Sequence, residues 1–265
     1  MSLVFAAIAP HGGIAINDEV AAVTRQGMEE LGRLFDEAAA DTVIVATPHN
    51  VHISNALGVI VASRVAGKLD GMPGVELDVP SDVELAWNVL EAFGQAGLSA
   101  AGVSFGSNDP ATAVAPMDWA VLIPLWFMGG RRRPPVEVVV VTPARDLPAS
   151  DHVTAGAAIA SVAAQSDRRV AFVASADHGH AHLESGPYGY DPAAAEYDAL
   201  VRAIVESDRL ERLTSISPEL VAKAKADSWW QMLMLHGATR GWRGRLLSYE
   251  APTYFGMLTA AYTPS

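Results

Sequence analysis

Several short runs of this chain are apolar at almost every position. They are Leu3-Val4-Phe5-Ala6-Ala7-Ile8-Ala9, Val43-Ile44-Val45-Ala46, the β-branched run from Val136 to Val141, and Val170-Ala171-Phe172-Val173-Ala174. A strand with one wet face alternates apolar and polar residues, whereas a run without alternation must be covered on both faces. Segments with a helical repeat separate these runs. Strands alternating with helices predict an α/β architecture in which helices flank one sheet. No repeat, low-complexity tract or linker divides the 265 residues, so a single domain over 1–265 is expected.

The individual elements follow from local signals. Residues 17–39 read as a helix capped by Asn17 or Asp18, with Val20, Val23, Met28, Leu31, Leu34 and Phe35 on its apolar face. Residues 57–65 read as one strand and 67–80 as a loop rich in Gly and Pro. Ser81-Asp82-Val83-Glu84 resembles a capping box that opens a helix to about residue 96. Further helices are expected over 116–127, from Ser150 or Asp151 to 165, and over 192–205, 218–226 and 228–239, with strand in the aromatic tail 246–262.

Composition narrows the function. Eighteen basic and thirty acidic residues give a formal charge of −12, which disfavours nucleic acid and anionic membranes as partners. The basic run Arg131-Arg132-Arg133 reads as a solvated loop. The absence of cysteine excludes disulfides, thiolate metal sites and cysteine nucleophiles, so any metal is held by nitrogen and oxygen. No apolar stretch is long enough for a bilayer, and residue 3 already enters a core-like strand without a basic leader. The cytoplasm is the expected compartment.

Three of the apolar runs end in histidine: Pro10-His11-Gly12-Gly13, Pro48-His49-Asn50-Val51-His52 and Asp177-His178-Gly179-His180-Ala181-His182. The carboxyl ends of strands line the active-site crevice of open α/β sheets. Imidazoles delivered there from separate segments suggest a metal site, and two histidines with one carboxylate leave coordination positions open. The carboxylate candidates are Asp227, before the last long helix, and Glu250; Asp227 would serve equally well as a helix cap. The third cluster suggests an acid–base group, and spacing does not choose among His178, His180 and His182. The segment from Gly186 to Pro192 either covers the site with its tyrosines or caps a helix. Trp119, Trp126, Trp229, Trp230, Tyr249 and Tyr254 would wall a pocket for a flat substrate or serve as core. No phosphate-binding loop, dinucleotide fingerprint, GxSxG elbow or HExxH motif is present.

With these residues in place, the chain resembles the class III extradiol ring-cleavage dioxygenases, the LigB-like superfamily. The shared order is an early strand-end histidine, a second in a Pro-His context, a later Gly-His loop, and a carboxylate opening the last helix. The matching residues are His11, His49, His180 and Asp227. The resemblance implies a central mixed β-sheet flanked by helices. It implies Fe(II) held by His11, His49 and Asp227, with His180 as the catalytic acid–base group and His52 outside the ligand set. Two positions depart from the pattern: Ser228 stands where the protocatechuate branch has its glutamate ligand, and Trp119 where some members have a second histidine.

The activity implied is extradiol opening of a catechol-like or aminophenol-like ring by O2. The expected partners are therefore a small aromatic substrate and O2, with a homo-oligomer and a small companion subunit as assembly options. Two rivals stand beside it. One is a non-enzymatic binding protein of the Memo type, whose members typically bring a cysteine to the site. The other is a zinc-dependent hydrolase using the same ligands.

Overall fold

The four apolar runs lie side by side in a computed structural model, which describes residues 3–17 and 19–265. They are β1 (Leu3–Ala9), β2 (Thr42–Ala46), β8 (Glu137–Thr142) and β9 (Val170–Ser175), mutually parallel in the order β1-β9-β2-β8. Strands β3 (Leu57–Ile60) and β6 (Ala100–Val103) extend one side, β3 antiparallel to β8. On the other side, β11 (Met257–Thr263) pairs antiparallel with β1, and β10 (Arg243–Glu250) pairs antiparallel with β11. The result is one α/β domain built on an eight-stranded mixed sheet.

Both faces of the parallel core are dry, as the unalternating strands require. Ile8, Ile44, Val139 and Phe172 pack into one core beneath α3 (Val83–Gln95), α5 (Ala149–Gln165), α6 (Pro192–Glu206), α7 (Pro218–Ala224) and α8 (Trp229–Ala238). Their neighbours Ala7, Val45, Val140 and Val173 pack into the other beneath α2 (Ala22–Ala38) and α4 (Trp119–Phe127). Strands β4 (Arg64–Lys68), β5 (Glu76–Pro80) and β7 (Val114–Pro116) form a separate small sheet on that second side. The predicted strand over 57–65 is thus two strands in different sheets, and the predicted loop 67–80 ends in β5. Strands β6 and β7 carry no clear sequence signal, and their residues are only partly buried for the most part.

Helix ends correct several readings. A short helix, α1 (Ile14–Asn17), and a 3-10 turn (Glu19–Ala21) precede α2, whose N-cap is Ala21 without a side-chain bond. Asn17 is therefore no cap, and Asp18 lies outside the described residues. Val20 and Val23 are half exposed, while Met28, Leu31 and Phe35 carry the buried face. Asp82 does cap α3, accepting from the Leu85 amide at 3.0 Å. Helix α5 starts after Pro148 with no side-chain cap, so neither Ser150 nor Asp151 fills that role. Arg131–Arg133 is a largely exposed loop as expected, though Arg132 pairs with Asp36 and Arg131 lies over the Trp126 ring.

Helix α8, which follows Asp227, is set by close backbone contact with α5. A Cβ on Gly156 would lie 1.8 Å from the Met234 carbonyl oxygen, and one on Gly237 would lie 2.0 Å from that of Val153. Only glycine permits this approach, which holds the C-terminal half of α8 against α5. Among the described residues, no helix is long and apolar enough to cross a membrane.

Candidate metal centre

His11 follows β1, and His49 follows β2. Asp227 sits in the turn between α7 and α8, on the same edge of the sheet. One ligand atom from each lies within 4.8 Å of the others. Asp227 Oδ2 is 3.5 Å from His11 Nε2 and 3.6 Å from His49 Nε2. Nitrogen and oxygen ligands sharing one ion at about 2.0–2.2 Å lie about 3.0–3.4 Å apart, so these separations suit a common metal. The other carboxylate oxygen, Asp227 Oδ1, is buried with no hydrogen-bond partner. A helix cap would have used that oxygen, but the α8 N-cap is Ser228, which makes no side-chain cap bond. The donor set and the orphaned oxygen both fit a metal ion.

Neighbouring groups orient each ligand. Ser175, the last residue of β9, donates its hydroxyl proton to the Ala120 carbonyl at 2.5 Å. It can then only accept at His11 Nδ1, 3.0 Å away. His11 therefore keeps a proton on Nδ1, and in its neutral form it presents the Nε2 lone pair to the cluster. Thr47 accepts the His49 amide at 3.2 Å and donates to Asp118 at 3.1 Å. Asp118 also caps α4 through the Ala120 amide at 2.8 Å, tying the His49 loop to that helix. The Trp119 ring lies 4.3 Å from the His49 ring, so the residue at the departing position packs on a ligand.

Charge is concentrated around His11. Burial alone would lower its pKa, but Asp177 and Asp227 outweigh burial and push it up to about 9. Burial and the His11 charge together push His49 down to about 4. Burial also works against ionisation of Asp227, yet the His11, His180 and His49 imidazoles hold its carboxyl below the usual range. Asp177 is raised, by burial first and by the Asp227 charge. A neutral His49 and an ionised Asp227 are the forms a metal requires.

Asp177 was not singled out from sequence. It is buried, accepts the His11 amide at 3.0 Å, and brings Oδ2 to 3.5 Å from His11 Nε2. Its signal was its place at the carboxyl end of β9, beside the histidines. Asp198 on α6 was also missed. It accepts from the Gly179 amide at 2.7 Å and the Tyr249 hydroxyl at 2.8 Å, and its Oδ2 lies 2.8 Å from His182 Nε2. That hub pins the histidine loop to α6 and β10, but nothing in the spacing of the sequence announces it.

The three histidines of the loop have separate surroundings. His180 lines the same cavity as His11, His49 and Asp227, about 490 Å3 in volume. Its Nδ1 donates to the His178 carbonyl at 2.7 Å, leaving Nε2 as the basic nitrogen. Its ring stacks on Phe255 at 5.4 Å, and Tyr188 and Tyr254 stand 6.0 Å away. His178 is buried with Nδ1 3.1 Å from the Ser228 hydroxyl, and burial pushes its pKa down. His182 is held by Asp198. The expected ligand position Ser228 therefore serves as a bridge between His178 and Tyr197, 2.9 Å from the latter.

Other candidates lie elsewhere. Glu250 accepts the Thr24 amide of α2 at 2.5 Å and so serves a helix start, outside the cluster of three. His52 is exposed. Of the aromatic residues, Trp119 and Tyr254 line the cavity with Tyr188, while Trp126, Trp229, Trp230 and Tyr249 do not. The segment after Gly186 does both things expected of it: Tyr188 walls the cavity, and Asp191 caps α6 through the Ala193 amide at 2.9 Å.

The family model for the catalytic LigB subunit of aromatic ring-opening dioxygenase matches residues 8–258, which includes every residue of the cluster. The chain belongs to the LigB family. The protein CA_C1420 of Clostridium acetobutylicum is 24% identical over 232 residues, 86% of this chain. That match takes in 49% of the relative, so this LigB chain spans about half the length of the curated protein it resembles. The crystal structure of the uncharacterized protein JW3007 from Escherichia coli K12 superposes with a TM-score of 0.65 at 16% identity. The match covers 97% of this chain and 99% of that one, and it shows a shared LigB-like fold.

Proposed function

We propose that this LigB-family protein is a non-haem Fe(II)-dependent extradiol dioxygenase acting with O2 on a catechol-like or aminophenol-like ring. The observation that carries the reading is the position of Asp227 Oδ2, 3.5 and 3.6 Å from two imidazole nitrogens at the base of an open cavity. His11 Nε2, His49 Nε2 and Asp227 Oδ2 would hold the ion on one side, as a two-histidine, one-carboxylate site does. Bound Fe(II) would lower the pKa of coordinated hydroxyls and supply the redox chemistry that joins O2 to the ring.

The chain's own residues do the rest. His180 is fixed by its bond to the His178 carbonyl, so its Nε2 is free to take a proton from a substrate hydroxyl and return it during ring opening. Trp119, Tyr254 and Phe255 give the cavity flat apolar walls that suit an aromatic ring and displace water. The ring then opens beside, not between, its two adjacent hydroxyls (hydroxyl and amine in an aminophenol), with both atoms of O2 retained in the product.

The test is anaerobic reconstitution with Fe(II), followed by a screen of catechols and aminophenols for O2 uptake and yellow ring-opened products. Stoichiometric O2 consumption with such a product supports the assignment. Tight zinc binding with ester or amide turnover would replace it with a hydrolase, and neither metal binding nor turnover would leave a binding protein.

A further inference from the structure

Tyr188 walls a second cavity as well as the metal cavity. This neighbour has a volume of about 520 Å3 and lies between the loop after β8 and the turn from α7 to α8. Val221, Trp229 and Trp230 give it an apolar body. Two cations also line it, Arg145 and Lys225, and no carboxylate does. The chain carries a formal charge of −12, so a lining of this sign runs against the average surface.

The two cations are uncommitted. Neither side chain forms a hydrogen bond or ion pair with another described residue. The Arg145 guanidinium lies 4.9 Å over the Trp230 ring. Stacking holds the planar group by its face and leaves its edge, with paired N–H donors, for an anion. Lys225 ends α7 in the left-handed conformation (φ 54°), its backbone N–H bonded back to Val221 and Ala222. The backbone is thus fixed there, and the ammonium is the free partner.

We infer that this second cavity binds a carboxylate with an apolar body, an aryl- or alkyl-alkanoate. The body lies against Trp229, Trp230 and Val221, and the carboxylate pairs with Arg145 and Lys225. Two sources share that chemistry. One is the tail of a long substrate whose ring reaches the metal cavity past Tyr188, which stands 6.0 Å from His180. The other is a separate small molecule.

The first arm of the test is calorimetric titration of the full chain with 4-phenylbutyrate and with 4-phenylbutanamide. The carboxylate should bind saturably and at least about tenfold more tightly than the amide, since a charge-assisted bond is worth about 1.5–3 kcal/mol. Arg145→Gln and Lys225→Gln should each erase most of that difference while both variants remain folded by circular dichroism. Equal binding of acid and amide, no binding of either, or variants that bind like the parent would overturn the inference.

The second arm uses the Fe(II)-loaded protein and 5-(3,4-dihydroxyphenyl)pentanoate. Displacement of this probe by both catechol and 4-phenylbutyrate assigns the cavity to a substrate tail. Displacement by catechol alone, with 4-phenylbutyrate still bound, assigns it to a separate ligand. Only this arm rests on the catechol reading of the cluster, so failure of that reading leaves the first arm intact.

Discussion

His11 Nδ1 lies 3.0 Å from the hydroxyl of Ser175, whose only proton is already committed to the Ala120 carbonyl. This one contact decides which imidazole nitrogen faces the cluster. Ser175→Ala would remove the acceptor and free the tautomer. Metal affinity should fall about 10- to 100-fold, as for other partners that orient ligands. Metal titration of the folded variant measures it, and an unchanged affinity would show that His11 is oriented by other contacts.

Asp227 and Glu250 separate cleanly by substitution. Asp227→Asn replaces the carboxylate between two imidazoles with a neutral amide, so bound metal and turnover should both be lost. Glu250→Ala instead strips the Thr24 amide of its acceptor at the start of α2. It should keep full metal content and lower stability by about 0.5–2 kcal/mol. Metal analysis beside urea unfolding of both variants gives the comparison. Metal lost from the Glu250 variant would reverse the ligand assignment.

His180→Ala should keep the metal, because the imidazole lies outside the three ligands. Turnover should fall by about 10²- to 10⁴-fold, the usual worth of a placed acid–base group. Turnover near that of the parent would remove His180 from the chemistry.

The pH dependence turns on His11, whose pKa in the metal-free protein is raised from 6.5 to about 9. A proton on this residue competes with metal, so apparent metal affinity should rise with pH and level off near pH 9. Below that it should change by about tenfold per pH unit. Stability of the metal-free protein runs the other way. The contribution from His11 is fully present below about pH 6.5 and is lost as pH rises through about 9. Unfolding temperatures with and without metal between pH 6 and 9.5 should therefore diverge as pH increases.

Asp198 carries a structural load that sequence spacing hides. Asp198→Ala would leave the Gly179 amide and the Tyr249 hydroxyl without their acceptor and release His182. The cost should be at least about 3 kcal/mol, since each stranded buried group costs about 1–3 kcal/mol. Urea unfolding measures it, and a loss below 1 kcal/mol would mean that water replaces the carboxylate.

Local pattern alone was enough for the parallel core of the sheet and most of its helices. Strands covered on both faces must be apolar throughout, and that demand is written in consecutive residues. The histidines could be seen for the same reason, since each sits directly after such a strand. What separates Asp227 from Glu250 is not local. Both are acids near the ends of regular elements. In the folded chain the turn before α8 brings Asp227 to the imidazoles, while β10, paired with β11, brings Glu250 to the Thr24 amide of α2. Asp177, Asp198 and Ser175 stayed hidden because their partners are 16 to 166 residues away. Strand identity is a property of a few neighbouring side chains, whereas a ligand set is a meeting of distant ones. That meeting is fixed by the packing of the whole sheet.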